Sequence, residues 1–273
     1  MSQTVRHRFY LSHVGIPLLC AATVFVLFDL SNLDVILSNL LYNPDSHSFV
    51  LQHSYLFEQI THKWARIIPN WTGEIAIMGC LLSFIWPRLD PCRHARLLGV
   101  LKRSNISLVL ALAARHRKDL LFVVIAFAVS TGCIHFFKSH TSIYCPVETT
   151  LFGGAMPKLE WFRNFILWHD AGEGRCWPGG HASGGFSMLA LYFIARRHRW
   201  RYAKTLLSAA LALGLVYGTT RVFQGWHYMS HTFWSGIVVW LSMLLTALAF
   251  YGRQALEQPS TVGNPPPACP VST

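Results

Sequence analysis

The stretch Leu120–Lys138, "LLFVVIAFAVSTGCIHFFK", carries no formal charge until its last residue. A helix rises about 1.5 Å per residue, so the eighteen positions before Lys138 cover about 27 Å, close to the ~30 Å of a bilayer's hydrocarbon core. Such a run reads as a membrane span. Working outward from it, five more apolar runs read the same way: residues 11–30, 72–87, 182–195, 203–220 and 232–251. Several are shorter than a full crossing. The chain as a whole agrees, since 52% of its 273 residues are hydrophobic and only 13% are charged, more apolar than soluble domains usually are. The expected fold is all-α, an integral membrane bundle of six transmembrane helices.

The formal charge of +11 does not point to a nucleic-acid partner. That reading needs a basic face on a polar domain, whereas here the basic residues punctuate apolar runs. With the N-terminus placed in the cytoplasm, 16 of the 23 Lys and Arg fall on the inner side, mostly at 88–118 and 196–204. The other seven, Lys63, Arg66, Lys138, Lys158, Arg163, Arg175 and Arg221, fall outside. This bias puts both termini in the cytoplasm. Arg6 and Arg8 before an apolar run also suit a signal peptide, but no small-residue cleavage site follows, so residues 1–30 are kept as helix. Ile106–Ala114 is too short to span and reads as an interfacial amphipathic helix. Residues 1–255 read as one membrane domain and 256–273 as a disordered, Pro-rich cytoplasmic tail.

This topology gathers four groups at the outer mouth. Lys138 ends one span, His181 begins another, Arg221 ends a third and His227 precedes the last. Lysine and arginine match the charged oxygens of a phosphate ester, arginine with a bidentate fork. Gly179 and Gly180 offer backbone amides at a helix start, where the dipole also favours an anion. Two imidazoles can divide the nucleophile and proton work. The combination suits phosphoryl transfer, without a metal or other cofactor.

These residues resemble the type 2 phosphatidic acid phosphatase superfamily, whose blocks are K-x6-R-P, P-S-G-H and S-R-x5-H-x3-D. Here they read "KSHTSIYCP" from Lys138, "PGGH" from Pro178 and "TRVFQGWHYMSH" from Thr220, spanning 138–231. The resemblance implies that Lys138 and Arg221 bind phosphate, that Gly180 lends its amide, that His181 is the general acid and that His227 is the nucleophile. It implies a metal-independent phosphatase acting on a lipid-borne phosphate monoester or diphosphate through a phosphohistidine, on the periplasmic side of a bacterial inner membrane. A lipid phosphotransferase, a transporter and a non-catalytic lipid-binding protein are the alternative functions, and zinc held by His227 and His231 the alternative chemistry.

Four positions depart from the blocks. Cys145 stands at the family's arginine, with Arg175 or Arg163 as replacement. Gly179 stands at its serine, leaving backbone amides to make that contact. Thr220 replaces a second serine. His231 stands at the aspartate that orients the nucleophile, so His231 itself, Glu148, Asp170 and Glu173 are the orienting candidates. Cys145 and Cys176 both face outside, where thiols oxidise, and are expected to form a disulfide. Trp161, Trp168, Trp177, Trp226 and Trp234 are expected to rim the bilayer interface.

Overall fold

The computed structural model describes residues 3–89 and 93–257. The expected disordered tail at 256–273 lies outside the described residues from 258 onward, and is corrected at Leu256 and Glu257, which are buried. The protein is an almost entirely helical membrane bundle. Long helices form at His7–Asp29 (α1), Ile67–Arg88 (α3), Arg117–Ser139 (α6), Ala203–Phe223 (α9) and Met229–Tyr251 (α10), each apolar and long enough to cross a bilayer. Between them lie Leu33–Asn39 (α2), Ala95–Arg103 (α4) and Ile106–Arg115 (α5), then Gly180–Phe186 (α7) and Leu189–Arg197 (α8). Among the described residues the only sheet is a small hairpin pairing Tyr42–Asn43 with Ser48–Phe49.

Two elements differ from the expected six spans. The run at 182–195 is not one helix but α7 and α8, broken at Ser187 and Met188, where the backbone bonds tighten to Met188 N–Gly185 O and Ala190 N–Ser187 O. Paired glycines and hydroxyls bonded back to the chain, Ser183 to Gly180 O and Ser187 to Gly184 O, weaken a continuous helix there. The α7–α8 pair still runs from one end of the bundle to the other, since α7 begins beside Lys138 and Arg197 of α8 reaches Asp119 at the start of α6. Helices α4 and α5 meet at 95° around Asn105, whose φ of 57° is left-handed and suits asparagine. The expected interfacial segment is α5, which buries Leu110 and Ala113 and exposes Leu108 and Val109.

Helix α10 is central, with 56% of its apolar window buried against 11% for α1. Its Val239, Met243 and Ala247 pack with Phe122 and Ala126 of α6, Phe186 of α7 and Phe193 of α8. The outward faces of α1 and α3 carry Leu18, Leu19, Ile75 and Met78, which suit lipid. At the end opposite the expected site, Asp119 of α6 accepts from Arg197, from His198 at 2.8 Å and from Tyr251 at 2.9 Å, locking three helix ends together.

The close approach of α9 to its neighbours depends on a Gly-x3-Gly pair. A Cβ on Gly214 would lie 2.2 Å from the Phe186 ring, and one on Gly218 would lie 2.1 Å from Thr232 Cγ2. Without a strong hydrophobic force between helices in lipid, such backbone proximity is a main source of association. Gly218→Ala is expected to cost about 1–3 kcal/mol through overpacking, read as a lower unfolding temperature. Adding Thr232→Ala, which removes the two nearest atoms, is expected to recover part of that loss.

Candidate active site

The helix ends set the geometry. Helix α6 closes with Thr141 Oγ1 donating to Phe137 O at 2.8 Å, which leaves Lys138 in the last turn. Its Nζ donates to the Arg175 carbonyl at 2.6 Å and lies beside Gly180, where a Cβ would come within 3.4 Å of Lys138 Cε. Helix α9 stops after Arg221 because Gly225 (φ 73°) turns the chain back, in a space where a Cβ would strike Phe49 at 2.3 Å. That turn delivers His227 to the start of α10. From α2, Asp34 accepts from Ser230 N at 3.0 Å and Ser230 Oγ at 2.5 Å, capping α10 from outside and fixing the residues around His227. Burial raises the Asp34 carboxyl above its ordinary range, and its bonds to Ser230 oppose that rise.

His227 is the centre of the arrangement. Its Nδ1 lies 3.5 Å from His231 Nδ1 and 3.1 Å from Cys176 Sγ. The ring is held well below the ordinary imidazole range, first by burial and then by Lys138, His231, His181 and Arg221. All four act on it electrostatically, so the structure brings together the groups that topology alone had placed at one mouth.

The disulfide is present: Cys145 and Cys176 are bonded, with Cα atoms 5.2 Å apart. It does more than close a loop, because Cys176 Sγ is also a wall of the His227 pocket. With both sulfurs bonded to each other, neither is a thiolate available to join His227 in a metal site. The loop it closes packs Trp177 face to face on Trp161 at 4.4 Å and edge-on to Trp234. The expected interfacial rim is therefore corrected at Trp177, which is buried in that stack, whereas Trp168 is 88% exposed.

Several expected contacts fall elsewhere. The Gly179 amide donates to His231 O at 3.1 Å, so it is not the amide turned toward a ligand; Gly180, first in α7, keeps that position. Glu148 accepts from Cys145 N at 2.7 Å. Asp170 pairs with Arg175 at 2.6 Å and accepts from Gly172 N, contacts that hold its carboxyl below the usual range, the Gly172 bond first. Glu173 offers its carbonyl to Ser142 Oγ. The Glu148 and Asp170 carboxylates thus have partners of their own, whereas His231 Nδ1 lies 3.5 Å from His227 Nδ1. Arg175 is turned to Asp170, and Arg163 lies over the Phe162 ring.

Sequence reasoning missed three residues. Glu58 accepts from Arg221 NH1 and from Gln224 Nε2, both at 2.8 Å. Asp34 caps α10. Arg66, at the foot of α3, places NH2 3.3 Å from His181 Nε2. Arg66 and His181 share a cavity of about 280 Å³ with Gly180, Ser130, Ser183 and Tyr217, open between α3, α6, α7 and α9. The signal for Arg66 was available, since it begins a span at the same face where Lys138 and Arg221 end theirs.

The PAP2 superfamily matches residues 119–255, half of the chain, from the start of α6 to the end of α10. The chain belongs to the PAP2 superfamily. No curated protein and no solved structure matches it. PAP2 membership supports a membrane-embedded, metal-independent, phosphatase-like enzyme. Lys138, His181, Arg221 and His227 all fall inside the PAP2 region, and Asp34, Glu58 and Arg66 all precede it. The PAP2 frame is thus completed by the preceding part of the chain.

Opening the disulfide frees a loop with a sequence separation of 31, a chain-entropy loss of about 3–4 kcal/mol. Cys145→Ser is expected to lower the unfolding temperature by that cost. Because Cys176 lines the His227 pocket, it is also expected to lower turnover at temperatures where the protein remains folded, a split that thermal unfolding and activity assays separate.

Proposed function

We propose that this PAP2 protein hydrolyses the phosphate ester of a lipid-borne substrate through a covalent phosphohistidine on His227. The observation that carries this reading is the convergence of Lys138, Arg221, His181 and His231 on one buried imidazole. Two Nδ1 atoms 3.5 Å apart cannot both donate or both accept, so one ring carries the proton. His231 also bonds the Cys176 backbone. If that bond uses its Nε2–H, then His231 Nδ1 accepts and His227 holds its proton on Nδ1. His227 Nε2 then keeps the lone pair needed for attack. His231 thereby does the orienting work of the family's aspartate without its negative charge.

In the first step His227 Nε2 forms a bond to phosphorus, the bond from phosphorus to the lipid oxygen breaks, and protonated His181 gives its proton to that oxygen. In the second, a water oxygen bonds to phosphorus as the bond from phosphorus to His227 Nε2 breaks, the water's proton goes to the now neutral His181, and inorganic phosphate leaves. Lys138, Arg221 and the Gly180 amide stabilise the charge on the non-bridging oxygens. The cavity beside His181 is lined by residues of α3, α6, α7 and α9, a place between spans that suits a head group entering sideways while its tails stay in the bilayer. The basic-residue bias supports an extracytoplasmic site, on the periplasmic face if the membrane is a bacterial inner one.

Phosphate release from a panel of lipid phosphates tests the reading. Purified protein is expected to act on at least one, and His227→Ala or His181→Ala to reduce that rate by at least 10²-fold; undiminished release in both variants overturns it. Transfer of phosphate to a second lipid instead of water identifies the phosphotransferase.

The pH profile follows from His227. Burial and nearby cations disfavour its protonated form, so the neutral nucleophile persists below pH 6.5, and the acidic limb of kcat/KM is expected below that value. His231→Asp adds a negative charge that favours protonation and is expected to move the limb upward. A limb at or above pH 6.5 that ignores this substitution contradicts the assignment.

A further inference from the structure

The family's first block places an arginine where this chain has Cys145, and Cys145 is bonded to Cys176. A phosphate site on this frame is therefore one guanidinium short. The expected substitutes are engaged elsewhere, Arg175 with Asp170 and Arg163 on Phe162.

We infer that Arg66, from the foot of α3 and outside the PAP2 region, supplies the missing guanidinium, and that its contact with His181 makes protonation of the general acid depend on the substrate's phosphate. This inference rests on the hydrolase reading above.

Three observations carry it. First, the segment before α3 is docked onto α9 at two points one helical turn apart. Glu58 pairs with Arg221, and the Ala65 carbonyl accepts from Tyr217 OH. Arg66 follows directly on that second anchor, so its position is built rather than incidental. Second, Arg66 and Arg221 are close enough to repel each other. Two guanidiniums held together at a membrane mouth, with Glu58 paired to one of them, leave a net positive charge that attracts a phosphate anion. Arg221 Nε is also buried without a hydrogen-bond partner, an unsatisfied donor of the kind that marks a ligand contact. Third, Arg66 lines the same cavity as His181 and Gly180, so a phosphate reaching the Gly180 amide meets it.

The contact with His181 adds the dependence on substrate. A guanidinium is always protonated, so at 3.3 Å Arg66 donates to the Nε2 lone pair of His181. While it does, that nitrogen cannot hold the proton a general acid must give. A phosphate dianion offers Arg66 a bidentate, charge-assisted partner, stronger than a neutral imidazole nitrogen. Once the guanidinium turns to phosphate, Nε2 takes up a proton from solvent, and the new anionic charge beside it favours the imidazolium. No proton is lost or created: the one gained from water in binding is the one given to the leaving oxygen.

The test compares Arg66→Ala, Arg66→Lys and Arg175→Ala with the wild type, using kcat/KM against pH and calorimetric binding of inorganic phosphate. Arg66→Ala is expected to lower kcat/KM by about 10²–10³-fold and to weaken phosphate binding. Its basic limb is expected to move to higher pH, because the charge opposing His181 protonation is gone; a merely structural loss leaves that limb in place. Arg66→Lys keeps a cation without the fork and is expected to recover part of the rate, which guards against a folding defect. If wild type hydrolyses lipid phosphate while Arg66→Ala matches it in rate, phosphate binding and basic limb, this inference fails alone. If Arg175→Ala, and not Arg66→Ala, loses phosphate binding, the missing guanidinium is Arg175. A wild type that neither hydrolyses lipid phosphate nor binds phosphate removes the hydrolase reading and this inference together.

Discussion

Holding several cations beside one buried imidazole at the mouth of a membrane bundle is expensive, and much of the fold is arranged around that cost. Charges near low-dielectric surroundings are poorly solvated and repel strongly. Lys138, Arg66 and Arg221 nonetheless meet near His227 and His181. Among their partners, Glu58 and Gln224 Oε1 accept from Arg221 and the Arg175 carbonyl accepts from Lys138. The arrangement persists because rigid helix ends, tied at their backs by glycine contacts and loops, prevent the cations from separating.

Those ties divide by origin. Within the PAP2 region, Gly214 and Gly218 bring α9 against Phe186 and Thr232, which sets Arg221 relative to His227. The disulfide brings Cys176 against His227 and holds the segment leading into α7. The preceding part of the chain adds the remainder. Asp34 caps α10, Asp29 accepts from Trp234 Nε1 at 2.8 Å, and the segment carrying Glu58 and Ala65 docks on α9. The N-terminal third therefore packs onto the candidate site and is not only a membrane anchor.

Much of this was legible in the sequence, for identifiable reasons. Five spans declared themselves because hydrocarbon thickness sets a length that apolar runs must match, as Leu120–Phe137 does. The fourth expected span is two helices, not one, because its "GHASGG" start is too glycine-rich to hold one straight helix. Lys138, His181, Arg221 and His227 were found because topology alone sends them to one face. Glu58 and Asp34 were not, since their partners lie 163 and 196 residues away and only packing brings them close; Arg66 shares the face of Lys138 and Arg221, but its contact with His181, 115 residues away, shows only in the fold. The orienting group was open among four residues; of these His231, four positions from His227 on the turn into α10, is the one in contact with it, while Glu148 and Asp170 have partners of their own.

The central claim is that His227 becomes covalently phosphorylated during turnover. The direct measurement is a rapid quench of the wild-type protein with a ³²P-labelled lipid phosphate, followed by mapping of the label. The account predicts an acid-labile, alkali-stable label on the peptide that contains His227, formed before phosphate is released and absent from His227→Ala. Full turnover with no trapped label, or with label on another residue, contradicts it.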